Sequence, residues 1–76
     1  MELNEFVEQF ANQFDETDPS EITAITVFHN LEDWSSLIGM SLLAMAKVEY
    51  GTSITSAELK ECVTVKDVFD LIKEKQ

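Results

Sequence analysis

Trp34-Ser35-Ser36-Leu37-Ile38-Gly39-Met40-Ser41-Leu42-Leu43-Ala44-Met45-Ala46-Lys47-Val48-Glu49-Tyr50-Gly51 is the stretch where a polar loop gives way to the longest apolar run of the chain, Leu37 to Ala46. Two adjacent hydroxyls ahead of such a run are a helix-start signal, because a serine oxygen accepts from a first-turn N–H that has no partner inside the helix. One serine then caps and the other is free. The helix should run from Ser36 to Tyr50 and stop at Gly51, a residue able to take the left-handed conformation that ends helices. At about 100° per residue, Gly39, Leu42, Leu43, Ala46 and Tyr50 share one face, which is assigned to the core. The other face carries Leu37, Met40, Ser41, Ala44, Met45, Lys47 and Val48. A helix apolar nearly all round is fully buried or meets a partner, and a chain this short favours the partner.

Upstream, Leu3, Phe6, Val7, Phe10 and Phe14 recur at spacings of three and four and predict an amphipathic helix over 3–14, with Glu2, Glu5 and Glu8 outward. Residues 15–30, with the chain's only proline at Pro19 and scattered β-branched residues, predict a long loop. Ile22, Ile25, Val27 and Phe28 would anchor it, Phe28 foremost. Downstream, Ser56 is read as the cap of a short helix through Lys60. Thr64 caps a last helix whose Val65, Val68, Phe69 and Ile72 face inward and whose Lys73 and Lys75 suit the negative dipole end. The expected architecture is all-α, a single domain over 1–76 formed as a four-helix bundle with a long first loop and a short third helix.

The stretch WSSLIGMSLLAMAKVEYG resembles the central motif of acyl carrier proteins, (W/A)-D-S-L leading a helix that ends near (F/Y)-G, and it aligns from Leu37 to Tyr50-Gly51 without a gap. Thr64-Val65-Lys66-Asp67-Val68 with Ile72 is similar to that family's T-V-x-D-(V/L)-x-x-x-(I/L) last helix. The resemblance covers the C-terminal half well and the N-terminal third loosely. It implies an acyl-carrier-like bundle in which Ser36 bears a covalent 4′-phosphopantetheine arm. A phosphopantetheinyl transferase would attach the arm, and its thiol would hold acyl groups for ketosynthases, acyltransferases and other loading and processing enzymes of fatty acid, lipid or polyketide biosynthesis. It also implies that Leu42, Leu43, Ala46, Phe69 and Ile72 shelter part of an acyl chain.

Two positions depart from the family pattern. Ser35 stands where an aspartate that helps engage the transferase is usual, and Asp33, two residues back, is the nearest replacement. The second helix lacks the family's outward acids and has Ile38, Ser41, Lys47 and Val48 at the matching places. Partner binding is therefore assigned to Leu37, Met40, Ser41, Met45 and Val48, through apolar contact more than charge. Met40 and Met45 suit an adaptable surface.

Composition narrows the function classes. Fifteen acidic residues against five lysines and no arginine give a formal charge of −10 in 76 residues, which repels nucleic acid and anionic membranes and steers the chain to basic protein partners. The single cysteine, Cys62, forms no internal disulfide and reads as a small hydrophobe. With one Cys and one His a zinc site is not expected, and the acid-rich 15–21 stretch lacks the glycine and alternating ligands of a calcium loop. No hydrolase-type nucleophile turn occurs, and His29 is read as a solvated loop histidine, so no catalysis is expected. Neither a secretory leader nor a membrane span is visible, which leads to the expectation of a cytoplasmic chain without membrane insertion; a monomer is also expected. The competing reading is an acidic helical interaction module that is never modified, either a carrier homologue or a nucleic-acid-mimic inhibitor.

Overall fold

The computed structural model describes residues 2–76; Met1 lies outside the described residues. Four helices form where apolar periodicity and capping agree: α1 (Leu3–Ala11), α2 (Ser36–Tyr50), α3 (Ser56–Glu61) and α4 (Val65–Lys75). The architecture is an all-α small bundle in which, among the described residues, the only β pairing is an isolated antiparallel bridge between Val27 and Thr64.

Helix α1 ends three residues earlier than its apolar stripe. Past Ala11 the bonds tighten to three-residue spacing, Gln13 N–H donating to the Phe10 carbonyl (3.1 Å) and Phe14 N–H to that of Ala11 (3.0 Å). The tighter turn keeps Phe14 buried, with its ring 5.8 Å from Phe10. Phe6 sits at the centre of the aromatic core, 5.9 Å from Phe10, 5.5 Å from Phe69 and 5.7 Å from Tyr50. Separations of this size suit offset and tilted ring pairs.

The long connection between α1 and α2 contains two 3₁₀ turns, Pro19–Glu21, capped by Asp18, and Phe28–Asn30. Its anchors are Ile22 and Phe28, both buried. Ile25 and Val27 do not anchor it: Ile25 is 80% exposed and Val27 lies at the surface. The physical reason is a turn in which Thr26 N–H donates to the Thr23 carbonyl (3.2 Å) and Thr23 N–H to the Thr26 hydroxyl (2.8 Å), leaving Ile25 at its tip. Backbone, more than apolar side chains, holds this part of the loop. Lys66 N–H donates to the Ala24 carbonyl (2.9 Å) and Val65 N–H to that of Thr26 (3.2 Å). These first-turn donors of α4 have no partner within the helix, so the loop satisfies them and is fixed in return.

Helix α2 has the predicted limits. Gly51 adopts φ 63° and its N–H donates to the Lys47 carbonyl (3.0 Å), while Thr52 N–H returns to that of Ala46 (3.2 Å). Only the glycine conformation closes the helix in this way at low cost. The core face differs from the expected one. Ile38, Gly39, Leu42, Met45 and Ala46 are buried, whereas Leu43 and Tyr50 are half-buried. Helix α1 covers one flank of α2 and α3 the other. Met45 borders a groove that Gln9 of α1 and Gln13 just beyond that helix also line, and it is buried, so it belongs to the bundle.

Thr55, not Ser56, caps α3. Its hydroxyl accepts from Glu58 N–H (3.1 Å), and the Glu58 carboxylate accepts from Thr55 N–H (2.9 Å). Glu58 also meets the Lys75 ammonium at 2.9 Å, tying this short helix to the end of α4. Thr64 and Asp67 form the same reciprocal cap on α4, with Val65, Val68, Phe69 and Ile72 buried as the spacing predicts. Cys62 is buried, and that burial, reinforced by Asp67, Glu58 and Glu61, pushes its thiol pKa up. Among the described residues no helix is long and apolar enough to cross a membrane.

Candidate functional site

The two serines divide as the sequence requires. The Ser35 hydroxyl accepts from Ile38 N–H at 3.2 Å and is the cap. Ser36 is the first residue of α2 and exposed, and among the described residues its hydroxyl has no hydrogen-bond partner. An anionic ester there would face a helix N-terminus, where backbone N–H groups and the positive dipole end favour it.

Ser36 lies at the edge of a cleft of about 340 Å³ between α2 and α3. Trp34, Met40 and Leu43 wall it from the α2 side, and Leu59 from α3. His29, Ser56 and Lys60 complete its lining. Gly39 brings the indole close to the helix: a Cβ at this position would stand 3.4 Å from Trp34 Cη2 and 3.8 Å from Leu59 Cδ2. These are ordinary contacts, so the helix-propensity gain decides the sign. Gly39→Ala is expected to raise stability by about 0.5–1 kcal/mol in urea denaturation. A loss would show that the Trp34 ring has no freedom to adjust.

His29 is half-buried, contrary to the solvated position expected. The Phe28–Asn30 turn carries it inward with Phe28. Its ring centroid lies 4.3 Å from that of Phe28 and 4.6 Å from that of Trp34, and Nε2 is 3.4 Å from the Leu59 carbonyl oxygen. The flanking aromatics were the available signal, but only the fold brings Trp34 back over the histidine.

Asp33 does not take the place of an aspartate at position 35. Its carboxylate accepts from the Thr17 hydroxyl and from the backbone N–H groups of Glu16 (2.9 Å) and Thr17 (3.2 Å). Chiefly the Thr17 hydroxyl, and then those backbone donors, lower its pKa. A depressed folded-state pKa means that the stabilisation is present above the ordinary aspartate range and is lost as pH falls through the folded value. Asp33→Asn is therefore expected to melt below the parent chain at pH 7, and the gap is expected to narrow as pH falls below the ordinary aspartate range. A gap independent of pH would show that the carboxylate charge is irrelevant to the clasp.

Comparison of the chain with protein-family models, curated proteins and solved structures finds no match. Its geometry therefore carries the functional reading. Of the residues assigned to partner binding, Leu37, Met40 and Val48 are exposed at 72%, 66% and 78%. Ser41 is half-buried, and Met45 is withdrawn into the core. Leu37 and Met40 stand within one turn of Ser36, so a protein reaching that hydroxyl meets an apolar rim. Of the residues assigned to sheltering an acyl chain, Leu42, Ala46, Phe69 and Ile72 are core, and Leu43 is the one that reaches the cleft. Leu59 and Lys60 complete the cleft and were not singled out as site residues by sequence, and Trp34 was read only as the first position of the serine motif. Among the described residues no group of three or more His, Cys, Asp or Glu side chains is placed to hold a metal ion.

Proposed function

We propose that the chain is an acyl carrier protein whose Ser36 accepts a 4′-phosphopantetheine arm and presents acyl thioesters to enzymes of fatty acid, lipid or polyketide biosynthesis in the cytoplasm. The observation that carries this reading is the pair of serines: Ser35 is used as the cap, while Ser36 is exposed at the helix start beside a cleft of mixed polarity. These residues fit the arm, because the hydroxyl is accessible and the helix terminus favours the phosphodiester. In the modifying step the Ser36 oxygen bonds to the phosphoryl group of coenzyme A, adenosine 3′,5′-bisphosphate leaves, and a base of the transferase takes the hydroxyl proton. Once bound, the group supplies a terminal thiol that holds acyl cargo as a thioester.

The chain's own part is positioning, without catalysis. Leu37, Met40 and Val48 offer apolar contact to the transferase, ketosynthases and acyltransferases, while the net charge of −10 speeds the encounter with basic surfaces. Tethering replaces diffusion by a high effective concentration. A monomer suffices for this role.

The unmodified interaction module is the second reading. It is favoured by Ser35 at the usual aspartate position and by the commitment of Asp33 to the loop, which leave the transferase without its usual acid. Intact-protein mass spectrometry after incubation with coenzyme A, magnesium and a phosphopantetheinyl transferase separates the two. A gain of one phosphopantetheine is expected. No gain with either a broad-specificity or the native transferase would favour the interaction module.

A further inference from the structure

Helix α2 reverses the charge of the molecule on its exposed face. At about 100° per residue, Leu37, Met40, Ala44, Lys47 and Val48 lie on one arc of the helix, and all five are exposed. The arc carries a cation and no carboxylate, in a chain with three acids for every lysine. The acid of α2, Glu49, borders the groove toward α1 with Gln9 and Gln13. On the other flank, the lining of the α2–α3 cleft holds Lys60 and no carboxylate. Glu58 and Glu61 of α3 line a separate groove toward α4, where Asp67, Asp70 and Glu74 join them.

The other lysines are engaged within the chain. Lys66 pairs with Asp70 at 3.0 Å, Lys75 with Glu58 at 2.9 Å, and the Lys73 ammonium stands 5.8 Å from the Phe69 ring centre. Among the described residues Lys47 and Lys60 have no carboxylate at ion-pair distance, and both are exposed. Lys47 follows Leu43 by one turn of α2, and Lys60 shares the cleft lining with Leu43 and Met40, so both cations border the same side of the apolar face.

The geometry points to a protein partner whose docking surface is an apolar stripe bordered by acids, the stripe covering Leu37, Met40 and Val48 and the acids meeting Lys47 and Lys60. The net charge of −10 weighs against the other occupants, because it opposes a second copy and repels a continuous anionic lipid surface, whereas a single carboxylate is felt at contact range. A basic patch pressed on this face meets like charge, so the face selects by repulsion as well as by attraction. Steering by the whole molecule and recognition at α2 then have opposite signs, the first setting how fast partners arrive and the second which of them stay. This rests on the apolar contact proposed for α2, and not on modification of Ser36.

The test uses two synthetic helical peptides of equal composition, titrated into the full chain at about 0.15 M salt, where charges beyond about 8 Å are screened. One borders a leucine stripe with glutamates and carries lysines opposite it; in the other, glutamates and lysines are exchanged. Saturable NMR shifts of the Met40, Ala44 and Val48 amides are expected, with the glutamate-bordered peptide bound about tenfold more tightly, the scale of two exposed charge contacts. Lys47→Glu is expected to remove most of that preference and the double variant with Lys60→Glu to reverse it, while Lys73→Glu, on α4, leaves it unchanged. Equal or tighter binding of the lysine-bordered peptide, shifts confined to the α3–α4 groove, or no binding of either peptide would overturn the inference. Uptake by phosphatidylglycerol vesicles that Leu37→Glu abolishes, or a dimer in sedimentation that Met40→Glu dissolves, would overturn it in favour of a lipid surface or a second copy. Modification of Ser36 without the peptide preference would leave the carrier reading standing and remove this inference. The preference in a chain that no transferase modifies would do the reverse.

Discussion

Ser36→Ala is expected to abolish the phosphopantetheine mass gain completely, while Ser35→Ala is expected to retain it and to melt earlier. The two substitutions remove the same atom one residue apart, and the structure assigns the atoms different tasks. Loss of the Ser35 oxygen leaves Ile38 N–H without its acceptor at the start of α2. An N-cap of this kind contributes about 1 kcal/mol, or roughly 4–8 °C in melting temperature for a domain of this size. Ser36 accepts no such bond among the described residues, so its replacement by alanine, a better helix former, should leave the melting temperature unchanged or slightly higher. Mass spectrometry and thermal denaturation of the two variants check both halves. Modification of Ser36→Ala at the parent level would reassign the site, most directly to Ser35.

What the sequence disclosed about this fold follows from where local chemistry is decisive. The limits of α2 were legible because a hydroxyl pair and a glycine each perform a local task, and Gly51 does take positive φ. The inward face of α4 was legible because its polar and apolar residues alternate with clear helical period. The face of α2 was not. Ile38 and Met45 share the buried side of the axis, while Leu37, Met40 and Leu43, similar to them in hydrophobicity, lie on other sides, so periodicity gave no contrast from which to fix the rotation. The cleft beside Ser36 was equally illegible, since it depends on where the short α3 places Leu59 and Lys60 and on a loop turn that brings His29 against Trp34. Thr55 was passed over as a cap because Ser56 follows it, although Glu58 three residues after Thr55 was the capping-box signal that distinguished them.

The rotation of α2 makes Met45→Glu and Val48→Glu a decisive pair. Both residues stand on the face that sequence assigned to partners, three positions apart. Met45 is 6% exposed and Val48 is 78% exposed. Replacing the buried thioether with a carboxylate removes apolar burial and desolvates a charge with no cation placed to receive it, together costing at least about 3–5 kcal/mol. That is a large part of the roughly 5–15 kcal/mol that holds a domain together, so Met45→Glu is expected to be mostly unfolded near physiological temperature. Val48→Glu replaces a side chain already in water and should change stability by no more than about 0.5 kcal/mol. Its effect is expected in binding instead, as weaker association with a transferase or ketosynthase that presses on the apolar side of α2. Urea denaturation and a binding titration on each variant separate the two effects. A stable Met45→Glu that binds poorly, beside an unfolded Val48→Glu, would mean that α2 is rotated from the position described and that the partner surface lies toward α1. With the expected outcome, the partner-facing part of the helix narrows to Leu37, Met40 and Val48, and the methionine nearest Ser36 is the one that partners meet.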